Sequence, residues 1–163
     1  MLIFDYNKYH NESKTEMKFD NPLMRGFYSG FSGGAVGGLI YTIQKIIEYL
    51  YGLPTEFPDI LTLNTFMIFL GYVVPSNAIW GGIFGTVYSR FYDKVPSKGV
   101  KRGFVWGCII FLISNLWISS RHFVTWFYTG FEPYLFWSYD WATSFSRWLP
   151  YGIVLGILYE RWK

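Results

Sequence analysis

Three polar side chains, Asn77, Asn115 and Arg147, lie inside apolar segments at matching distances from a basic residue. Each is 13 or 14 residues from the Arg that stands at one end of its segment. If the segments are helices, a rise of about 1.5 Å per residue places all three about 20 Å from the basic ends. An ionisable group at that depth in an apolar bundle is costly. The pattern predicts either a structural clasp around Arg147 or a binding site for a ligand or ion.

A second polar group is predicted farther from the same basic ends, at about 28 Å. Gln44-Lys45 and Arg121-His122 coincide when the chain is shifted by 77 residues. We expect Lys45, Arg121 and His122 to form a polar rim at the far surface, with a pocket for a headgroup or quinone as the alternative. Glu48 follows Lys45 by three residues and Gln44 by four, so pairing on one helix is expected.

The remaining chemistry-bearing residues indicate no catalytic or cofactor site. His122 and His10 are the two histidines, and they lie in different kinds of segment, which argues against a bis-histidine haem. Cys108 is the single cysteine, so no intramolecular disulfide or cysteine metal cluster is expected. We find no spaced metal ligands, nucleophile motif or phosphate loop. The sequence predicts no catalytic residue, no metal and no cofactor.

Composition indicates a membrane protein. Apolar types make up 52% of the 163 residues, charged types only 15% and aromatic types 23%. Soluble domains average about 25% charged residues, and belts of Trp and Tyr are typical of membrane interfaces. No basic run resembles a nucleic-acid patch, so the expected partners are membrane lipids and other membrane subunits.

The apolar segments predict an all-α bundle of four transmembrane helices. Residues 1–25 form a polar tail, and residues 26–163 form a single domain. The helices are expected at about 26–50, about 63–92 with a kink at Pro75, about 102–120 with an extension to 128, and from 139 or 141 to 162.

Two matches within the chain indicate an internal repeat. Residues 25–30 (RGFYSG) match residues 102–107 (RGFVWG), and residues 81–91 match residues 152–162 in Gly, Tyr and Arg. The predicted halves are about 25–92 and about 102–162. Because each half crosses the membrane twice, the halves would have the same orientation and a pseudo-two-fold axis along the membrane normal.

Glycines at a spacing of four predict close helix packing. In lipid, small residues let helix backbones approach one another. We expect the glycine strips to pack the four helices against one another within the chain. The alternative is that the longest glycine strip, on the first helix, docks a partner subunit or a lipid tail. The glycines concerned are Gly26, Gly30, Gly34, Gly38, Gly81, Gly85, Gly103, Gly107, Gly152 and Gly156.

Basic residues predict the orientation of the helices. Of 14 Lys and Arg, only Lys45, Arg121 and Arg147 lie toward the far side, so both termini are expected on the cytoplasmic or matrix side of a cell membrane or a mitochondrial inner membrane. At that surface we expect the lipid anchors Tyr88, Arg90, Tyr159 and Arg161.

Together these features predict a non-catalytic accessory, structural or assembly subunit of a larger membrane complex, with respiratory complexes as the first candidates. It would dock through the glycine-rich first helix and the aromatic outer face, residues 117–151. A small oligomeric transporter or channel with a mid-membrane polar site is the alternative. The motif at residues 80–84 (WGGIF) and the glycine-rich four-helix plan resemble mitochondrial Tim-type translocase subunits and their respiratory-complex relatives. The long aromatic connection departs from that pattern, and no residue roles are transferred.

Overall fold

The computed structural model describes residues 19–52, 62–129 and 134–163, and in this part of the chain all regular secondary structure is helical. For residues 121, 122, 125, 126, 128, 129 and 134–140 it describes the backbone alone. The first 18 residues of the predicted tail therefore lie outside the described residues.

Helix α1 comprises Pro22–Leu50 and begins four residues earlier than predicted. The side chain of Asn21 caps it by accepting a hydrogen bond of 2.9 Å from the Leu23 N–H. Pro22 fits the first helical position, where a backbone N–H would have no partner. Gly52, with φ of +64°, follows the end of the helix in the left-handed region.

The second helix runs continuously through three parts: α2, Leu63–Ile68; a π-helical turn, Phe69–Val73; and α3, Val74–Phe91. Pro75 has no N–H and its ring crowds the carbonyl four residues earlier. The wider turn just before Pro75 accommodates this crowding, so the predicted kink takes the form of a π turn. The Asn77 side chain donates to the Val73 carbonyl at 2.8 Å within this region.

Helices α4, Val100–Thr129, and α5, Tyr134–Arg161, form the second half of the described chain. Helix α4 includes the extension that the sequence suggested. Helix α5 starts at least five residues earlier than predicted and continues through Pro150.

The four long helices pack in the order α3, α1, α5, α4, and each is antiparallel to its neighbour in that order. The Phe19 N–H donates to the Trp162 carbonyl at 3.3 Å, and their rings meet edge to face at 5.4 Å. The start of α1 and the end of α5 therefore lie at one end of the bundle. We call it the basic end, because the Lys and Arg residues of the 90–102 connection lie there as well.

Glycines allow α1 to contact α3 at backbone distance. A methyl group built on Gly30 would lie 2.8 Å from the Gly85 Cα and nearer still to the Gly81 carbonyl oxygen. Gly26, Gly34 and Gly38 meet α3 in the same way. The strip predicted as a possible docking surface is thus covered by α3, which corrects the expectation that a partner docks there.

A second glycine face of α1 contacts α5. Methyl groups on Gly33 and Gly37 would lie 2.8 Å from the Tyr151 carbonyl oxygen and 2.5 Å from that of Arg147. Packing of this kind on two faces places α1 at the centre of the fold.

The α4–α5 pair also packs through glycines, but in a different register. Gly81 lies against Gly30 and Gly34, whereas Gly152 lies against Gly103 and Gly107, which correspond in sequence to Gly26 and Gly30. The two pairs are offset by one helical turn. Glycines spaced by four offer the same surface after each turn, so a slide of one turn again places glycine against glycine.

Polar side chains are buried beside the apolar core, and large apolar side chains are exposed on the outside of the bundle. Arg25, Lys45, Glu48, Asn77 and Asn115 are buried. Large apolar side chains are exposed on every long helix, among them Leu39, Ile43, Tyr72, Trp80, Leu116, Trp117, Phe127, Phe145 and Ile157. Among the residues that the structure describes, two helices are long and apolar enough to cross a membrane, Leu63–Lys94 and Val100–Ser120.

Candidate functional site

One face of α1 presents a residue to α5 at every fourth position, from Arg25 to Lys45. The Arg25 guanidinium lies 5.4 Å from the Tyr159 ring centre at the basic end. The two glycines that contact α5 come next, and Lys45 reaches Thr143 near the far end. Residues four apart share a helix face, so this spacing gives a continuous contact with one partner helix.

Lys45 and Glu48 form a buried ion pair on this face. The Lys45 ammonium lies 3.2 Å from a Glu48 carboxylate oxygen, and the two side chains are 1% and 7% exposed. This confirms the pairing expected from their spacing. The position of Lys45 corrects the sequence prediction, because the side chain is inside the bundle and not in a surface rim.

Polar side chains of α5 extend the ion pair into a network. The Lys45 ammonium lies 3.4 Å from the Thr143 hydroxyl, and the Gln44 amide donates to Glu48 at 2.6 Å. The Ser146 hydroxyl donates to the Gln44 side-chain oxygen across the helix interface. Each donor holds the carboxylate or the amide in place, which is how a buried charge is made tolerable.

Tyr41 joins this network to Arg147 and to the π turn. Its ring centre lies 4.3 Å from the Arg147 guanidinium carbon and 5.2 Å from the Lys45 ammonium. Phe69, from the π turn, stacks on Tyr41 with ring centres 5.8 Å apart. Two cations therefore share one aromatic ring, an arrangement in which the ring quadrupole partly replaces solvent.

We call this group the α1–α5 polar cluster; it comprises Tyr41, Gln44, Lys45, Glu48, Thr143, Ser146 and Arg147. It contains two cations and one carboxylate, held by hydroxyl and amide groups. Such a cluster can lock two helices together or bind a polar ligand. Within residues 19–52, 62–129 and 134–163, no three His, Cys, Asp or Glu side chains are grouped so that they could hold a metal ion.

The three residues predicted at mid-depth, Asn77, Asn115 and Arg147, are each engaged with other groups. Asn77 bonds to its own helix, and its backbone lies against Gly34 of α1. Asn115 donates to the Phe111 carbonyl at 2.7 Å, and its side-chain oxygen is buried without a hydrogen-bond partner among the described residues. Arg147 joins the α1–α5 polar cluster. The hydrogen bonds described for the Asn77 and Asn115 side chains thus lie in their own helices, and neither is made with Arg147.

Arg121 and His122 lie in the backbone of α4, and their side chains are outside the described residues. The predicted far-surface rim stays a prediction for these two positions.

The predicted lipid anchors divide into two groups. Arg90 and Arg161 are exposed at the basic end, as an anchor requires. Tyr88 and Tyr159 are 0% and 3% exposed and pack with ring centres 5.2 Å apart, so the anchor prediction is wrong for the tyrosines. Each follows two glycines at a spacing of four and three, which places it on the buried glycine face.

Tyr41 and Thr143 were missed by the sequence reasoning. Tyr41 follows Gly33 and Gly37 at the same spacing of four and precedes Lys45 by four, which is a signal that could have identified it. Thr143 carries no comparable local signal, because its role depends on how α5 lies against α1.

No protein-family model, no curated protein and no solved structure matches this chain, so the chemistry of the cluster has to be inferred from its own residues.

Proposed function

We propose that the protein is a four-span integral membrane protein and a non-catalytic accessory or assembly subunit of a larger membrane complex. The observation that carries the membrane part is the large exposed apolar surface, together with charged side chains that are buried between helices. Charged residues are buried between helices, while Leu116, Trp117 and Phe127 are 68–72% exposed. In water such a surface would associate, whereas in lipid it is the favourable outer surface.

The same distribution supports four crossings. Helices α1 and α5 carry charged side chains at Lys45, Glu48 and Arg147, but these face each other across the bundle. Their outward faces carry apolar residues, such as Ile43 and Ile157. Both termini would then lie on one side, as the placement of basic residues also favours. The proposed origin is a duplicated two-helix unit, with the one-turn slide arising afterwards.

The accessory role is supported by the surface that remains for a partner. With the glycines of α1 covered inside the chain, we place docking on the outward face of the second half of α4. This face is exposed over several turns and includes Leu112, Leu116, Trp117, Phe123 and Phe127. Aromatic side chains are enriched at protein interfaces, and in the sequence this part of α4 is followed directly by the aromatic connection to α5. A respiratory complex is the first candidate assembly.

The test is extraction in a mild detergent, followed by size analysis and mass spectrometry of co-purifying proteins. We expect a large complex containing foreign subunits. A double substitution, Leu116→Ala with Trp117→Ala, should release the protein from it. The matched control, Ile153→Ala with Ile157→Ala, alters exposed apolar residues on α5 and should leave the complex intact. A stable monomer, or equal effects of both variants, would contradict the accessory role.

The α1–α5 polar cluster favours a second candidate function, a small oligomeric transporter or channel. Arg147 would select an anionic substrate in this case. Arg147→Met separates the two possibilities. If the cluster is only a clasp, the variant loses folded, assembled protein. If it is a transport site, the variant stays assembled as a homo-oligomer and loses anion flux in reconstituted vesicles.

A further inference from the structure

A second set of buried polar atoms lies near the basic end, apart from the α1–α5 polar cluster. The Arg25 Nε, the Ser29 Oγ, the Tyr88 hydroxyl and the Trp106 Nε1 are all buried, and none forms a hydrogen bond within the described protein. Each of the four residues is at most 8% exposed. Buried polar atoms normally have partners, so four exceptions in one region of a small bundle call for a reason.

The four residues are neighbours. The Arg25 guanidinium lies over the Tyr159 ring, the Tyr159 ring lies 5.2 Å from that of Tyr88, and the Tyr88 ring lies 5.9 Å from that of Trp106. Ser29 is one turn from Arg25 on the same face of α1. The four polar atoms therefore come from α1, α3 and α4, and both Arg25 and Tyr88 contact Tyr159 of α5.

Ser29 departs from the behaviour of the other hydroxyls in these helices. Thr42, Thr86, Ser89 and Ser114 each donate to a carbonyl three or four residues earlier. That local bond is the usual way for a helical hydroxyl to be satisfied in an apolar setting. Ser29 is fully buried and does not make it, which leaves its hydroxyl free for another acceptor.

The chemistry of the four atoms selects an anion. The Arg and Trp nitrogens can only donate, and both hydroxyls can donate. The two ion pairs among the described residues are Lys45–Glu48 and Arg102–Asp93, so Arg25 has no carboxylate partner there. Its Nη2 donates to the Phe19 carbonyl at 2.6 Å, which fixes the guanidinium without neutralising it. Glu160, at the same end, accepts from Tyr92.

Exposed cations lie at the same end of the bundle. Among the described residues they outnumber the carboxylates of that end and include Arg90, Lys94, Lys98, Lys101, Arg161 and Lys163. Such a field raises the local concentration of anions. A phosphate group suits the donors because its several oxygens accept from a guanidinium and from other donors at once.

We propose that Arg25, Ser29, Tyr88 and Trp106 form a binding site for a phosphate group. Its source is either the headgroup of an anionic phospholipid or free inorganic phosphate. The lipid source rests on the proposed membrane placement, since the basic end would then lie at headgroup level. The free-phosphate source does not depend on that placement.

The test uses variants of the full chain that remove a donor. Tyr88→Phe and Trp106→Phe each remove one donor and keep an aromatic ring, and Tyr28→Phe is the control that removes an exposed hydroxyl from the same end. Inorganic phosphate is titrated into delipidated protein in a neutral detergent, with thermal unfolding as the signal. Native mass spectrometry then counts the phospholipids retained from nanodiscs of phosphatidylcholine with or without phosphatidylglycerol.

We expect the wild type to retain phosphatidylglycerol or to be stabilised by phosphate. Each donor variant should bind roughly tenfold more weakly, and Tyr28→Phe should bind within about twofold of the wild type. Stabilisation by phosphate without lipid retention would support the site and identify a free oxyanion. That outcome would not bear on the accessory role, which the co-purification experiment tests separately.

Two results would overturn the proposal. One is no response to phosphate together with no retained lipid. The other is internal water only, in which Tyr88→Phe lowers the unfolding temperature of the ligand-free protein. The proposal requires the ligand-free variant to be at least as stable as the wild type, because the substitution removes an unsatisfied buried hydroxyl.

Discussion

Replacing Lys45 with Met tests whether the α1–α5 polar cluster holds the bundle together. The Lys45 side chain is 1% exposed, and its ammonium lies 3.2 Å from Glu48 and 3.4 Å from the Thr143 hydroxyl. Methionine has a similar length and no charge. The substitution therefore leaves the packing nearly unchanged and removes the cation beside a carboxylate that is itself buried.

The expected cost follows from that geometry. Removing one partner of a buried ion pair destabilises by about 3–5 kcal/mol, because the other partner stays buried and loses the attraction of the opposite charge. The hydrogen bond from Gln44 to Glu48 is present in both proteins and offsets none of this loss. For a chain of this size, the unfolding temperature should fall by about 6–20 °C. Adding Glu48→Gln removes the stranded charge, so the double variant should recover at least about 2 kcal/mol of coupling energy.

The measurement is thermal unfolding in detergent, followed by tryptophan fluorescence and checked by size-exclusion chromatography. Lys101→Met, at an exposed position, is the matched control and should change the free energy of unfolding by less than about 0.5 kcal/mol. The reasoning is refuted if Lys45→Met costs less than about 1 kcal/mol. It is also refuted if the effects of Lys45→Met and Glu48→Gln simply add.

Three further predictions concern packing and hydrogen bonding. Gly30→Ala should destabilise the protein by about 1–3 kcal/mol, because the new methyl group forces α1 and α3 apart. Gly71→Ala is the control: nothing lies within 4 Å of its new methyl group, so it should be neutral or stabilising. The unfolding temperatures of the two variants are compared. Asn115→Leu should leave the unfolding temperature unchanged or raise it, because it removes a buried side-chain oxygen that has no hydrogen-bond partner among the described residues. A marked fall in the unfolding temperature would point to a structural role for Asn115. Ser146→Ala should cost about 0.5–1.5 kcal/mol through its bond to Gln44, and no change would show that this bond does not stabilise the helix pair.

Local spacing predicted a large part of the fold. The apolar segments, with the suggested extension of the third, located the helix ends to within about seven residues, because length and composition limit what a long apolar segment can form. Glycines at every fourth position marked the contact faces for a similar reason, since side chains four apart share a face. The Lys45–Glu48 pair was predictable because both residues belong to one helix turn.

The incorrect predictions for Tyr88, Tyr159 and Lys45 used the depth of each residue along its helix and left out the direction in which its side chain points. Counting residues placed Tyr88 and Tyr159 near a membrane surface, yet both point into the bundle. Lys45 was placed at the far surface for the same reason. Depth along a helix follows from residue number alone, whereas the direction of a side chain depends on which neighbour covers that face. The glycine spacing beside each tyrosine contained this information.

The sequence by itself determined the helical character of the chain, the apolar segments, the glycine faces and the contacts within single turns, because each depends on residues close together in the chain. Only the tertiary structure decided that α1 lies between α3 and α5 and that its glycine strip is covered. It also decided that Arg147 meets Tyr41 and that the two helix pairs differ by one turn. The physical reason is that glycines repeated every four residues permit several registers and partners of similar energy. The choice among them depends on how all the side chains of neighbouring helices fit together.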